Sequence, residues 1–235
     1  MRSLCVLVLG EPPPRIRNAR GGFGDLVRAV AQSAFPGPWV EVNVVQGGVP
    51  PHPSEVAGII VSGSAASVTE REPWMQPAQR YLLSAIENAT PVLGICFGHQ
   101  LLATALGGQV RKNPRGREIG TVPLELVGSD PLLGEDAFFA NMTHVDSVME
   151  PPAGAQLLAR TALESCAALR FADTAWGVQF HPEIDREVMT EYIDTRATVL
   201  EAEGMDVTRL RSAARDTPAA GNVIRRLAEL ASQKL

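Results

Sequence analysis

The stretch PVLGICFGHQLLATALGG, residues 91–108, contains a cysteine whose setting is typical of a nucleophile. Cys96 stands between Gly94 and Gly98, where a short apolar run gives way to a helical pattern. A G-x-C-x-G turn of this kind is the cysteine counterpart of a nucleophile elbow, in which glycines let the backbone pass close to its neighbours. The amides and the dipole at the start of the following helix favour a thiolate, and the amide of Phe97 is placed to stabilise an oxyanion.

The alternative is that Cys96 is a small hydrophobic residue of the core, as most cysteines are. Cys5 lies in the middle of an apolar run without neighbouring glycines, and Cys166 has no such setting either. We expect both to be ordinary core residues, so the nucleophile hypothesis rests on Cys96 alone.

A second stretch, WGVQFHPEI, offers partners for this thiol. His181 and Glu183 are two positions apart, so in an extended chain they point to the same side, and the carboxylate can accept from the imidazole and fix its tautomer. His99 is nearer to Cys96 in sequence, but on the first helical turn it would project sideways instead of over the sulfur. We therefore expect His181 to be the base; the alternative is a surface-loop histidine beside a helix start, with Glu183 as a first-turn acid.

Alternating apolar runs and helical patterns predict the elements that position these residues. Strands alternating with helices favour a parallel sheet covered on both faces. The predicted strands cover 3–10, 38–45, 56–63 and the run before Cys96, the predicted helices cover 23–35, 74–89 and the stretch after Cys96, and 11–22 is predicted to be a loop.

The pattern changes after Gly107 and Gly108, where short strand-like runs follow one another closely and predict hairpins laid beside the sheet. From Asp185 the chain turns helical again. No repeat or interdomain linker interrupts it, so we expect one domain over 1–235, with 185–235 as a helical C-terminal extension.

Composition narrows the class of protein. The 235 residues are 45% hydrophobic and 20% charged, as in ordinary globular proteins, and the net charge of -5 argues against a nucleic-acid partner. The three cysteines are far apart in sequence and odd in number, which argues against a disulfide framework and is typical of proteins in a reducing compartment. The apolar start is too short for a signal peptide, and no run is long enough to cross a bilayer. We expect a cytoplasmic protein without membrane contact.

Together, GICFGHQLLATALGG and WGVQFHPE closely resemble the two signature motifs of the class I, or triad, glutamine amidotransferases, here of the stand-alone GMP synthase-related type. GIIVSGSAASV resembles the strand and oxyanion loop of that family, and NMTHVDSV resembles its S-H-G-D stretch. The chain departs from the family pattern at Ser64-Ala65, where Gly-Pro is usual, and at Val145, where glycine is usual. The resemblance covers about residues 1–185 and implies a flavodoxin-like α/β fold with an open, mostly parallel sheet, flanking helices and added antiparallel strands.

The resemblance also implies roles for individual residues, and it implies no metal and no cofactor. Cys96 would be the nucleophile, His181 the general base and acid, and Glu183 the carboxylate that orients His181. The amide of Phe97, with an amide at Gly63 or Ser64, would form the oxyanion hole. The substrate contacts would come from the Gln100 side chain and from the backbone near His144, Val145 and Asp146.

Three functions remain open at this stage. The leading one is hydrolysis of the γ-amide of glutamine, with ammonia passed to a separate synthase partner, because about 50 residues follow Glu183 and no phosphate-binding loop motif occurs. The second is a stand-alone hydrolase of γ-glutamyl peptides or conjugates, which needs the same three residues and no partner. The third is a non-catalytic binding or regulatory module, against which the intact cysteine, histidine and glutamate argue.

Overall fold

The computed structural model describes residues 1–235, with twelve β-strands and eight α-helices. The strands are β1 (Ser3–Val8), β2 (Trp39–Asn43), β3 (Val56–Val61), β4 (Val92–Ile95), β5 (Gln109–Lys112), β6 (Glu118–Pro123), β7 (Glu125–Leu126), β8 (Phe139–His144), β9 (Asp146–Glu150), β10 (Gln156–Arg160), β11 (Ala168–Ala172) and β12 (Ala175–Val178). The helices are α1 (Pro14–Arg20), α2 (Phe23–Ala31), α3 (Met75–Glu87), α4 (Phe97–Ala105), α5 (Arg186–Thr195), α6 (Ala197–Ala202), α7 (Val207–Ala213) and α8 (Pro218–Ser232). No helix is both long enough and apolar enough to span a membrane.

The central sheet has eight strands in the order β2-β1-β3-β4-β12-β11-β10-β7. The first five are parallel neighbours, and their order matches the 2-1-3-4-5 order of a flavodoxin-like sheet, with β12 in the fifth place. The predicted open, mostly parallel α/β sheet is therefore confirmed.

The predicted antiparallel hairpins are present, since β10, β11 and β12 pair antiparallel in chain order, but the predicted position beside the sheet is wrong for β7, β10, β11 and β12. These strands extend the main sheet, β12 parallel to β4 and the others antiparallel beyond it. The reason is that β4 would otherwise expose an edge of unpaired backbone groups in the middle of the core, and the fully buried strand β12 satisfies them. Only β5 with β9 and β6 with β8 form separate two-stranded ladders.

The segment 11–22 is not a loop throughout, because α1 begins at Pro14. Proline at the first helical position costs no hydrogen bond, since the amide there would have no partner within the helix. Ile16 of this helix is buried, which fastens the segment to the protein. The three consecutive prolines thus start a helix at their third member.

Helices cover both faces of the sheet. Helices α2 and α8 pack on one face, where Val27 and Ile224 share a core with Leu4 and Ile60. Helices α3 and α4 pack on the other face, where Leu82 and Leu101 meet a second core. A third cluster joins α1 to the C-terminal helices α5–α7. The helices after Asp185 are present as the pattern predicts.

Two glycines let α4 approach the sheet closely. A Cβ atom added to Gly98 would lie 2.6 Å from the carbonyl oxygen of Val61, at the end of β3. A Cβ atom added to Gly94 would lie 2.5 Å from the carbonyl carbon of Gly98. Backbone atoms therefore fill the places where side chains would otherwise stand, and the first turn of α4 is locked against both strands.

We predict that Gly98→Ala destabilises the protein by about 1–3 kcal/mol, the usual cost of overpacking a core, because the new methyl group would meet the backbone of Val61. The free energy of unfolding from urea titration measures this cost. Gly128→Ala is the matched control, since nothing lies within 4 Å of a Cβ atom added there. Equal stability of the two variants would contradict the close packing of α4.

Candidate active site

Three segments that follow parallel strands meet at one edge of the sheet. Gly63 follows β3, Cys96 follows β4, and His181 lies three residues after β12. A Cβ atom added to Gly63 would lie 2.9 Å from Cε1 of His181 and 3.8 Å from Cβ of Cys96. The carboxyl ends of parallel strands are the usual binding edge of such sheets, so the three segments frame a candidate active site.

Cys96 has a backbone conformation that residues other than glycine rarely adopt, with φ 49° and ψ −100°. Its amide donates to the carbonyl oxygen of Val178 at 2.7 Å, and α4 starts at the next residue. Such strain persists only where the surroundings enforce it, and it is common at functional sites. The Cys96 side chain is 6% exposed, and Nε2 of Gln179 donates to its sulfur at 3.4 Å.

His181 and Glu183 form a buried pair, with Nδ1 of the ring 2.7 Å from Oε1 of the carboxylate. Burial by itself lowers the pKa of His181, but the charges of Glu183 and Cys96 outweigh it and raise this pKa above that of an ordinary histidine. Nε2 of His181 is buried without a partner of ordinary hydrogen-bond geometry, and the Cys96 sulfur is the neighbouring group that contributes to the raised pKa. The imidazole therefore lies between the Glu183 carboxylate and the Cys96 sulfur.

The loop that carries His181 is fastened by one buried side chain. The His181 amide donates to the carbonyl oxygen of Asn141 at 2.9 Å, and Nδ2 of Asn141 donates to the carbonyl oxygen of Ile184 at 2.8 Å. The rings of Phe23 and Tyr192 flank the imidazole, each with its centroid 6.4 Å away. The ring orientation of His181 is thus set by Glu183, by the loop and by two aromatic neighbours.

His99 lies away from this group, under the sheet edge. Its ring is fully buried against Phe171, with centroids 5.6 Å apart, and neither of its nitrogens has a hydrogen-bond partner. Burial, with a contribution from His144, lowers the pKa of His99 to about 3, so this ring is neutral at physiological pH. The structure gives His99 no contact with the cavities that open on Cys96.

The other cysteines are core residues. Burial raises the pKa of Cys5 to about 12, and burial together with Glu164 raises the pKa of Cys166 to about 11. Both remain thiols at physiological pH, and no disulfide links any of the three cysteines.

Backbone amides near the Cys96 sulfur are free to bind an anion. The amides of Gly63, Ser64 and Phe97 donate no hydrogen bond within the protein. Phe97 is the first residue of α4, so its amide also lies at the positive end of the helix dipole. The three residues predicted for an oxyanion hole thus lie around Cys96, and their role stays a prediction.

Two cavities open on Cys96. We name the first, of about 290 Å³, the Asp146 cavity, because Asp146 lines it together with Phe97, Gln100, Thr143, His144 and Val145. We name the second, of about 340 Å³, the His181 cavity, because His181 lines it together with Phe23 and Tyr192. Besides Cys96, four residues line both cavities: Thr143, already named, and Ser64, Ala65 and Arg196.

The residues predicted to contact substrate all line the Asp146 cavity, but three of their side chains are engaged within the protein. The Asp146 carboxylate accepts a hydrogen bond from the Ser67 hydroxyl. Nε2 of Gln100 donates to the carbonyl oxygen of Asp146 at 2.9 Å and to Oε1 of Gln179 at 3.0 Å. The His144 ring is buried, with Nδ1 3.0 Å from that same carbonyl oxygen and Nε2 3.3 Å from Oε2 of Glu118. These bonds fix the backbone from 144 to 146, which is the part of this segment that the sequence predicts to face the substrate.

Sequence reasoning missed several residues of the site. Gln179 stands two positions before His181 and so points to the same side of an extended chain, which is a signal that could have found it. Nothing in the local sequence distinguishes Phe23, Tyr192 or Arg196, because they reach the site only through the packing of α2 and α5 against it.

The fold and the site define an α/β protein in which a cysteine, a histidine and a glutamate meet at the carboxyl edge of a parallel sheet. The chain belongs to the family described as glutamine amidotransferase class-I, whose profile matches residues 36–198. The family resemblance predicted from the two motifs is therefore confirmed.

Individual relatives cover the chain to different extents. The glutamine-hydrolyzing GMP synthase of Aeropyrum pernix is 36% identical over 144 residues, which are 58% of this chain and 27% of that protein, so the chain spans about a quarter of its length. Gamma-glutamyl peptidase 4 of Arabidopsis thaliana is 31% identical over 166 residues, 66% of each protein. The crystal structure of a glutamine amidotransferase from Thermotoga maritima superposes with a TM-score of 0.79 at 20% identity, covering 99% of this chain and 100% of that one.

We predict that Glu183→Gln lowers the pKa of His181, because the variant removes the carboxylate charge and leaves burial, which disfavours the imidazolium. In the unmodified protein His181 keeps its proton as the pH rises through neutrality, whereas in the variant it loses this proton at lower pH. An NMR titration of the four histidine rings measures the change, with the His181 signal identified by its absence in His181→Asn.

Glu187→Gln is the matched control for this titration, since the Glu187 side chain is 70% exposed on α5 and does not contact His181. A His181 pKa that is the same in Glu183→Gln and in the control would contradict the electrostatic role of Glu183.

Proposed function

We propose that the protein hydrolyses the γ-amide of glutamine through a thioester on Cys96 and releases glutamate and ammonia. The observation that carries this proposal is the strained cysteine at the start of α4 beside a histidine that Glu183 orients at 2.7 Å. A nucleophile next to a base that is itself oriented by a third group is the arrangement that acyl transfer requires.

In the first half of the reaction, the Cys96 sulfur attacks the γ-carbonyl carbon of the substrate. The negative charge that develops on the carbonyl oxygen is stabilised by the free amides of Phe97 and of Gly63 or Ser64. His181 holds a proton because Glu183 raises its pKa, and it donates this proton to the leaving nitrogen as the carbon–nitrogen bond breaks. Ammonia leaves, and the glutamyl group remains on the sulfur as a thioester.

In the second half, His181, now neutral, takes a proton from water, and the resulting hydroxide attacks the thioester carbon. The carbon–sulfur bond breaks, glutamate leaves, and the imidazolium and the thiolate are restored together. His181 thus acts first as an acid and then as a base, and Glu183 keeps the ring in one orientation throughout.

The Asp146 cavity is the proposed place of the glutamyl group. Its wall includes Gln100 and residues 144–146, whose backbone the buried hydrogen bonds of Gln100 and His144 hold in place. The charged α-groups of the substrate need polar partners of fixed geometry, and backbone carbonyls and amides supply them without the cost of ordering side chains.

A synthase partner is the proposed receiver of the ammonia, since relatives of this chain are named as glutamine-hydrolyzing GMP synthases. We further propose that residues 1–235 act as one domain, because α8 of the C-terminal extension completes the core on one face of the sheet. The three free cysteines support a reducing location such as the cytoplasm.

The second candidate function is hydrolysis of γ-glutamyl peptides or conjugates. It uses the same Cys96, His181 and Glu183, and the similarity to a gamma-glutamyl peptidase of Arabidopsis supports it. The size of the His181 cavity favours it as well, since ammonia would fill only a small part of that space.

We predict that the purified protein releases glutamate from glutamine or from a γ-glutamyl peptide, and that Cys96→Ala reduces this release to background because no thioester can form. Enzymatic determination of glutamate measures the rate. Cys166→Ala is the control, since this cysteine is buried outside both cavities and should leave turnover near that of the unmodified protein. Equal rates in the Cys96 variant and the unmodified protein would sink the enzymatic proposal.

A chloroketone analogue of glutamine should alkylate Cys96 alone. Burial keeps Cys5 and Cys166 protonated and out of reach, whereas Cys96 opens on two cavities. Peptide mapping by mass spectrometry after stoichiometric labelling locates the modified residue. Labelling of Cys5 or Cys166 in the folded protein would mean that the reactive thiol has been assigned wrongly.

A further inference from the structure

The two cavities that meet at Cys96 must hold different parts of a substrate. A general acid has to reach the leaving nitrogen within hydrogen-bond distance, so the leaving group lies on the side of His181. The His181 cavity is therefore the place of the leaving group, and the Asp146 cavity is left for the glutamyl group.

The His181 cavity is far larger than ammonia requires. A water-sized molecule takes about 30 Å³ in the liquid, whereas this cavity measures about 340 Å³, which lies within the range of sites that bind small organic molecules. Its walls include three consecutive prolines, Pro12–Pro14, and the rings of Phe23 and Tyr192. These are stiff side chains, so the space is preformed and suits a group of amino-acid or dipeptide size.

One cation in this cavity has no partner. The Arg196 guanidinium lies over the Tyr192 ring at 4.6 Å and forms no ion pair or hydrogen bond with any other side chain of the protein. In contrast, Arg117, which lines the Asp146 cavity, is paired with Glu203 at 2.8 Å. An unpaired, half-buried guanidinium is well suited to bind a carboxylate through two parallel hydrogen bonds.

The position of Arg196 assigns it to the leaving-group side. Although the residue borders both cavities, its guanidinium stacks on Tyr192, and Tyr192 lines only the His181 cavity. The one acidic residue of this cavity, Glu11, is paired with Arg17 at 3.5 Å. The positive groups that a ligand meets there are therefore His181, which is assigned to the leaving nitrogen, and Arg196, which is left for another part of the leaving group.

We propose that Arg196 selects leaving groups that carry a free carboxylate, so that the substrates include γ-glutamyl amino acids and short γ-glutamyl peptides. The inference rests on the thioester chemistry of Cys96 and specifies its leaving group. The γ-carbon–nitrogen bond breaks as the sulfur–carbon bond forms, the amine takes its proton from His181, and the carboxylate of the amine stays bound to Arg196 until release. Water then frees glutamate, as it does when glutamine is the substrate.

The test compares two substrates that differ only in the proposed contact, γ-glutamylglycine and γ-glutamylglycinamide. In the unmodified protein, kcat/KM should be about tenfold higher for the acid than for the amide, which is the discrimination expected of one partly exposed charge-assisted hydrogen bond. Arg196→Met should abolish this preference, and Arg196→Lys, which keeps the charge but loses the paired geometry, should retain part of it.

Arg15→Met is the matched control, because this exposed arginine lies outside both cavities and should leave the ratio unchanged. Thermal unfolding of each variant checks that the fold is intact. The ratio of the two substrates does not depend on the fraction of active protein, so a modest loss of stability in an Arg196 variant leaves the test valid.

Equal kcat/KM for the acid and the amide in the unmodified protein would overturn the proposal, and so would an Arg196→Met variant that loses activity equally on both substrates and on glutamine. The latter result would place Arg196 at the glutamyl group.

The thioester proposal fails separately, if none of the three substrates yields glutamate above the level of Cys96→Ala. Turnover of glutamine without a preference for the acid would leave that chemistry standing and remove only the role of Arg196.

Discussion

The close approach of α4 to β3 and β4 is the constraint on which the site depends. Gly94 and Gly98 let the backbone of α4 pack directly against the backbone of the two strands. Cys96, which lies between these glycines and immediately before α4, is forced to φ 49°. This conformation leaves the amide of Phe97 without a partner and turns the sulfur toward the sheet edge where β12 ends. A side chain at either glycine would move the helix away from the sheet, and the relation between thiol, amide and imidazole would change with it.

A second set of interactions offsets the unfavourable free energy of burying charged groups at this edge of the sheet. His181 is surrounded by Phe23, Tyr192 and the sheet, an environment that disfavours its imidazolium, and the carboxylate of Glu183 reverses this preference. On the other side of Cys96, His144 lies between Glu118 and the carbonyl oxygen of Asp146. The two buried histidines differ in what their ring nitrogens contact: His181 faces Glu183 and the Cys96 sulfur, whereas His144 faces Glu118 and a backbone carbonyl oxygen.

The two candidate functions share every step until the carbon–nitrogen bond breaks. They differ in the leaving group, and hence in the region between His181, Tyr192 and Arg196. The Asp146 cavity, proposed for the glutamyl group, is bordered by hydrogen-bonded backbone, whereas the His181 cavity, proposed for the leaving group, is bordered by prolines and aromatic rings. The segment 11–14, which leads into α1, and the C-terminal half of α5 supply much of this second wall.

The local sequence pattern was sufficient to predict the strand-to-helix turn at Cys96, the pairing of His181 with Glu183 and the alternation of strands and helices. Each of these features depends on residues that are close together in the chain. The pattern did not predict the helix that starts at Pro14. It also did not predict the position of β12 in the sheet, because β12 pairs with the free edge of β4, which is distant in sequence. It also could not find Arg196, since nothing near that residue in sequence marks it. The sequence by itself determined which residues are candidates for the proposed reaction. The tertiary structure decided which groups surround them, because those contacts join segments that only the packing of helices on the sheet brings together.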